Sequence, residues 1–275
     1  MIMIKGVDPQ LFKTLAALGD YVQDIVLVGG WVTHIYALIW PGEQRILERR
    51  TFDVDAAVRE TLPVRSRLRL DSQLEAQGYI VRLGGMSGPA AQRFENPENE
   101  DLLDIEFLFP LTGSSEHQTV EIQEGVAAQA LRYLNILLDS VMEIYASGEL
   151  PGGDVVTLPI RVPVPGAFIY HRGLAFVERT DRPMQAKDLY YIFETWMNYP
   201  HRRDDIVREI DELRRRYPRK WYDRFRVNLG RLFSSDIAEG VLLVAQQYST
   251  DEPEELVHRR IYRAFQGLLR AIPAD

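Results

Sequence analysis

The chain has 275 residues, 46% of them hydrophobic, which is enough for one large domain or two smaller ones with a sizeable core. Acidic residues outnumber basic ones by 40 to 32, and the formal net charge of -8 excludes a protein that coats nucleic acid non-specifically, while leaving room for a local basic groove. With no cysteine, disulfides and thiolate metal sites are excluded as well.

The first residues carry no basic stretch followed by an apolar run and a small-residue cleavage site, and no segment is apolar for long enough to cross a bilayer; a cytoplasmic protein is expected. Residues 8–19 have apolar positions at helical spacing, with Asp8 placed as an N-cap. Residues 24–28 form a nearly continuous apolar run, as in a strand buried on both faces. A helix over 30–40 follows, stopped by Pro41-Gly42, and then a strand over 52–58. Residues 64–78 read as a helix ending at Gly78, and 79–83 and 91–95 as short strands separated by the Gly- and Pro-containing 84–90. A strong strand over 102–109 ends at Pro110, and from 120 to 150 helical and strand-like signals mix. The prolines at 151, 159, 163 and 165 frame an alternating run, read as a last edge strand and a linker. Beyond Gly166 helical periodicity dominates, over 166–178, 184–197, 203–216, 218–229, 235–247 and 252–271.

Two short motifs carry the chemistry. Gly29-Gly30 lies where a strand hands over to a helix. Glycine allows close backbone approach and positive φ, and a helix N-terminus offers unpaired N–H groups to an anion, so the pair suits a phosphate; on its own it also suits a tight turn. No GK[ST] follows, so it is not a P-loop, and the third glycine of a dinucleotide fingerprint is absent. Asp53 and Asp55 alternate along the next strand and so share one face, with Cα atoms about 6.6 Å apart. Two such carboxylates suit a pair of divalent ions, and like charges held this close call for a cation. On the later strand Asp104 and Glu106 share a face in the same way; Asp104, with the shorter reach and an aspartate like the other two, is the preferred third carboxylate, and Glu106 is kept as the other candidate.

A glycine pair opening a helix, an alternating acid pair and a later acid resemble the nucleotidyltransferase superfamily that includes DNA polymerase beta. Within it the chain looks most like the bacterial and archaeal branch that contains the AbiEii-type toxins. That branch also carries a helical lysine–aspartate pair, and Lys187-Asp188 stands in the matching place, after Val162-Pro163-Val164-Pro165 and the helix GAFIYHRGLAF. The resemblance spans roughly residues 20–195. It implies an α/β (α+β) fold, with a mixed-sheet nucleotidyltransferase core over 1–165 and a C-terminal helical domain over 166–275 completing the cleft. It further implies transfer of a nucleoside monophosphate from a nucleoside triphosphate to an acceptor hydroxyl, supported by two Mg²⁺ ions. Asp53, Asp55 and Asp104 or Glu106 would hold the metal; Gly29, Gly30, Thr51, Lys187 and Asp188 would serve the nucleotide. The acceptor is left open between tRNA, a protein and a small molecule, with an antitoxin partner implied by the toxin branch. One departure is Arg172 after His171, where relatives commonly have lysine; arginine keeps the charge but changes the donor geometry. An inactive nucleotide-binding or toxin–antitoxin interaction module is the alternative.

Other polar residues give weaker signals. Asp188 could orient Lys187 or cap a helix beginning there. Arg49 and Arg50 precede the acid pair and would draw in an anionic substrate. The five histidines, at 34, 117, 171, 201 and 258, show no paired spacing, and none is assigned to catalysis. Residues 212–226 mix arginines with Tyr217, Trp221, Tyr222 and Phe225, a composition that suits nucleic acid but that amphipathic helices also produce.

Overall fold

The computed structural model describes residues 1–41, 51–64, 68–83, 92–111, 113, 119–150, 152–248 and 250–274. Arg49, Arg50, His117 and the turn predicted over 84–90 lie outside them. The chain divides into two units, one built from residues up to Ile39 and from Thr51 to Pro163, the other from Trp40 and the residues from Val164 onward.

The first unit runs β1 (Ile2–Ile4), α1 (Pro9–Ala17), β2 (Ile25–Val28), α2 (Trp31–Ile39), β3 (Asp53–Val58), α3 (Leu70–Ala76), β4 (Ile80–Leu83), β5 (Gln92–Glu95), β6 (Asp104–Pro110), β7 (Thr119–Gln123), β8 (Val126–Leu131), α4 (Asn135–Asp139), β9 (Val141–Glu149) and β10 (Val155–Pro163). Asp8 caps α1, its Oδ1 accepting from the N–H groups of Gln10 at 2.8 Å and Leu11 at 3.2 Å. Every residue of β2 is buried, as its unbroken apolar run requires.

The larger sheet has the order β2-β3-β6-β5-β4, and β8 pairs with β6 and β7. β3 is an interior strand, antiparallel to β2 and parallel to β6. Its alternation sends Val54 and Ala56 into the core, together with Ile105 and Phe107 of β6 and Phe94 of β5, while the acids take the opposite face. Phe94 and Phe107 meet edge to face at 5.6 Å. A second sheet, β1-β9-β10, meets the first through Arg161 Nε donating to the Ile25 carbonyl at 3.2 Å, and meets α2 through the Tyr36 hydroxyl donating to the Pro163 carbonyl at 2.7 Å.

In its described part the predicted helix over 64–78 is confined to α3: the Leu62 N–H donates to the Ile122 carbonyl, and the Leu70 N–H, at the start of α3, donates to Gln123 Oε1. β6 continues through Pro110 instead of stopping before it. The mixed signals of 120–150 resolve into β7, β8, α4 and β9, short elements whose character is set by their sheet partners.

The second unit contains α5 (Pro165–Ala175), α6 (Arg182–Asn198), α7 (Arg203–Arg216), α8 (Arg219–Leu232), α9 (Glu239–Ala245) and α10 (Glu254–Ala271). α5 is buried along its whole length. It is the central helix, and Gly173 is required there because a Cβ would overlap the Phe225 ring of α8. At its N-terminus the Gly166 N–H donates to Glu209 Oε2 at 2.7 Å. In 212–226, Tyr222 and Phe225 are buried while Arg215, Arg216, Arg219, Lys220 and Arg224 are exposed, the partition of an amphipathic pair of helices; Tyr217 and Trp221 stack at 5.2 Å nearer the surface.

Burying α5 places His171 in the core with both ring nitrogens unbonded among the described residues. Burial, and then the charges of Arg172 and Arg179, hold its pKa well below the ordinary 6.5, so it is neutral when folded. The unfolded chain therefore binds a proton that the folded chain refuses. Stability is complete above about pH 6.5 and is lost as the pH falls below it, by about 1.4 kcal/mol per pH unit until the folded value is reached. Glu209 and Glu106 are shifted upward by burial and act with the opposite sign, so the comparison must be with a variant. Melting temperatures of wild type and His171→Phe at pH 7.5 and 5.5 should diverge, the variant losing less on acidification.

Candidate active site

The acid face is built by strand register. In the parallel β3–β6 pair Asp53 lies beside Asp104 and Asp55 beside Glu106. Neighbouring strands are about 4.8 Å apart, so the four carboxylates form two lateral pairs on one face. Asp104 and Glu106 are each about three-tenths exposed. The Thr51 hydroxyl, itself buried, donates to Asp53 Oδ1 at 2.8 Å, so it is occupied by the neighbouring acid. The start of β6 is braced from behind: the Tyr79 hydroxyl donates to the Leu103 carbonyl at 2.9 Å and the Leu103 N–H donates to Thr14 Oγ1 at 2.8 Å. Burial pushes the Tyr79 pKa up to about 12, so it stays a donor.

The glycine pair reaches the same place through β2. Val28 is the register partner of Asp55, so the next residue, Gly29, turns off the strand under that carboxylate. Gly29 has φ of +74°, and a Cβ there would collide with Asp55 Oδ2 and stand 2.9 Å from its Cγ. Two independent constraints thus require glycine. Gly30 completes the turn into α2, its carbonyl accepting from Thr33 Oγ1 at 3.2 Å. Gly29→Ala should cost about 1–3 kcal/mol from the backbone conformation alone. It should also displace the Asp55 carboxylate, so the loss of activity should exceed what the drop in melting temperature explains.

Sequence reasoning missed Arg93. β5 runs antiparallel to β6 with Arg93 opposite Glu106. Its NH2 and Nε donate to Asp104 Oδ2 at 2.7 and 3.0 Å, and NH1 donates to Glu106 Oε1 at 3.1 Å. Burial works against the guanidinium charge, but the hydrogen bond to Asp104 and the fields of Asp104, Glu106 and Asp53 more than offset it and raise its pKa. Glu106 is shifted upward by burial, with Asp53 and Asp104 adding to the shift and Arg93 opposing it. The signal available in sequence was the alternation of β5: Phe94 points inward, so Arg93 and Glu95 must point to the acid face.

Lys187 and Asp188 lie in the second unit, on α6. Asp188 is buried inside the helix, whose N-cap is Asp181, so it does not cap. Its Oδ1 accepts from Arg172 NH1 and its Oδ2 from Arg179 Nε at 3.2 Å. Arg172, the departure from the usual lysine, is buried over the rings of Phe168 at 4.9 Å and Tyr191 at 5.2 Å. Lys187 Nζ stands 5.8 Å from the Tyr191 ring centroid.

The donor set on the first unit is all carboxylate oxygen, the chemistry of a hard divalent cation such as Mg²⁺, and the Gly29 backbone leaves the space beside Asp55 that a side chain would fill. As the side chains stand, no three acidic or histidine groups among the described residues converge on one point.

A family model described as nucleotidyltransferase matches residues 9–205. The chain belongs to this nucleotidyltransferase family. Comparison with curated proteins and with solved structures returned no match. The mixed α/β architecture with helices following it is consistent with a nucleotidyltransferase, whose general chemistry is transfer of a nucleotidyl group and whose substrate is a nucleotide. Among the described residues of this nucleotidyltransferase no helix is long and apolar enough to cross a membrane.

Proposed function

We propose that this protein is a metal-dependent nucleotidyltransferase that moves a nucleoside monophosphate from a nucleoside triphosphate to an acceptor hydroxyl. The observation that carries the reading is the in-register pairing of Asp53 with Asp104 and Asp55 with Glu106 beside the Gly29 turn. Asp53, Asp55 and Asp104 would hold Mg²⁺, which when bound supplies Lewis-acid stabilisation of charge on the phosphoryl oxygens. The Gly29-Gly30 turn at the head of α2 orients the β- and γ-phosphates through backbone N–H groups. The acceptor oxygen bonds to the α-phosphorus as the bond to the bridging oxygen of pyrophosphate breaks. The hydroxyl proton passes to a carboxylate of the acid face, Asp104 in this assignment. Lys187 is assigned to the triphosphate by family resemblance, as is a place among the AbiEii-type toxins with tRNA as acceptor and an antitoxin as partner. Asp188 is reassigned from the nucleotide to the arginine pair it holds.

A second reading, an inactive nucleotide-binding module, is favoured by one observation: Arg93 occupies two of the carboxylates. Incubation with each α-³²P-labelled nucleoside triphosphate and cell extract separates the two. Label on tRNA supports the toxin-like reading, label on protein or on a small molecule redirects the acceptor, and nucleotide binding without transfer supports the inactive module.

A further inference from the structure

Arg93 holds the carboxylates that a divalent cation would need. From β5 it reaches diagonally across the sheet to put two nitrogens on Asp104 Oδ2, while a third bonds Glu106, its own register partner. It also has a further acid within range on its own strand, Glu95 Oε1 lying 3.9 Å from Nε. The side chain is 37% exposed, so the guanidinium can shift without opening the core.

We propose that Arg93 is an internal countercation that competes with a divalent ion for Asp104, and that Glu106 is its seat and not a ligand of that ion. This rests on the metal-dependent reading of the acid face. Four carboxylates on neighbouring strands repel one another, and a fixed guanidinium lets the sheet keep its register without a metal. On leaving Asp104, Arg93 retains Glu106 and gains Glu95, so release is inexpensive. Asp104 is then free to join Asp53, its lateral neighbour, and Asp55. The dispersal of the acids among the described residues follows from the same arrangement, since the arginine fork fixes two of the four. Divalent affinity at this site is therefore set by exchange of one cation for another.

Isothermal titration of the full chain with Mg²⁺ tests this, using wild type, Arg93→Met, Glu106→Gln, the combination of those two, and Asp53→Asn with Asp55→Asn. Removing the competing charge should tighten Mg²⁺ binding by about tenfold, the worth of a partly exposed multidentate ion pair. Arg93→Met should also melt lower than wild type without metal and recover with it. Glu106→Gln alone should weaken binding, because Arg93 then concentrates on Asp104, and the combination should bind as Arg93→Met does. Unchanged or weaker binding by Arg93→Met overturns the competition, and a combination about tenfold weaker than Arg93→Met overturns the role of Glu106 as a seat. If binding is abolished by the Asp53/Asp55 variant yet unaltered in Arg93→Met, only this inference fails. Absence of binding in both wild type and Arg93→Met overturns the metal-dependent reading along with it. Should Arg93→Met not fold, Arg93→Lys, which loses the fork, should bind more tightly than wild type by a smaller factor, and equal affinity overturns the proposal.

Discussion

Replacing Asp53 and Asp55 together by asparagine should reduce nucleotidyl transfer by about a thousandfold or more, while the protein keeps its fold. The magnitude follows from removing fixed charge at the point where charge develops in phosphoryl transfer, where one lost electrostatic contact costs about 10²–10³ in rate. The fold should survive because the side chains lie on the half-exposed face of β3, while Val54 and Ala56 carry its packing. Asparagine also keeps an acceptor for the Thr51 hydroxyl. Removing two of four like charges should leave the melting temperature unchanged or raised. Transfer of label and thermal unfolding, measured on the same preparation, check both halves. Retained transfer would mean that the acid pair is not the reacting centre.

The other large effect belongs to the helical unit and to stability. Asp188→Ala should destabilise the protein by about 3–5 kcal/mol, the usual result of leaving a buried charge without its partner. Arg172 and Asp188 side chains are only 7% and 1% exposed, and Arg172 is packed against Phe168 and Tyr191, so the guanidinium cannot reach water when the carboxylate goes. Arg179 is a weaker loss, because its side chain is 32% exposed. Replacing both members, Arg172→Met with Asp188→Leu, should recover most of the stability, since an apolar pair of similar volume carries no desolvation cost. Chemical denaturation of the single and double variants gives the coupling directly. If Asp188→Ala instead left stability intact and weakened nucleotide binding, Asp188 would return to the ligand.

The contrast between these two pairs shows what a sequence reading reaches. Asp53 and Asp55 were legible because alternation on a strand is a local rule, and a local rule needs no partner to be known. Gly29 was legible for the same reason, as a glycine at a strand-to-helix junction, although the steric demand from Asp55 appears only with the register. In sequence Asp188 pairs naturally with its neighbour Lys187, whereas its bonds go to Arg172, sixteen positions earlier, and to Arg179. Helix packing decides such pairings, and periodicity records only that a residue faces inward. Residues 120–150 failed for a related reason: strands and a one-turn helix of this length take their character from the sheet they join.

By itself the sequence determined most elements outside residues 120–150, the fully buried strand β2, and the acid and glycine motifs, because each is written in the spacing of neighbouring residues. Only the tertiary structure decided that Asp53 stands beside Asp104 and Asp55 beside Glu106, and that Arg93 lies across them. Strand register and the order of strands in a sheet are properties of pairs of distant segments, fixed by shared burial and backbone hydrogen bonding, and no single segment contains that information.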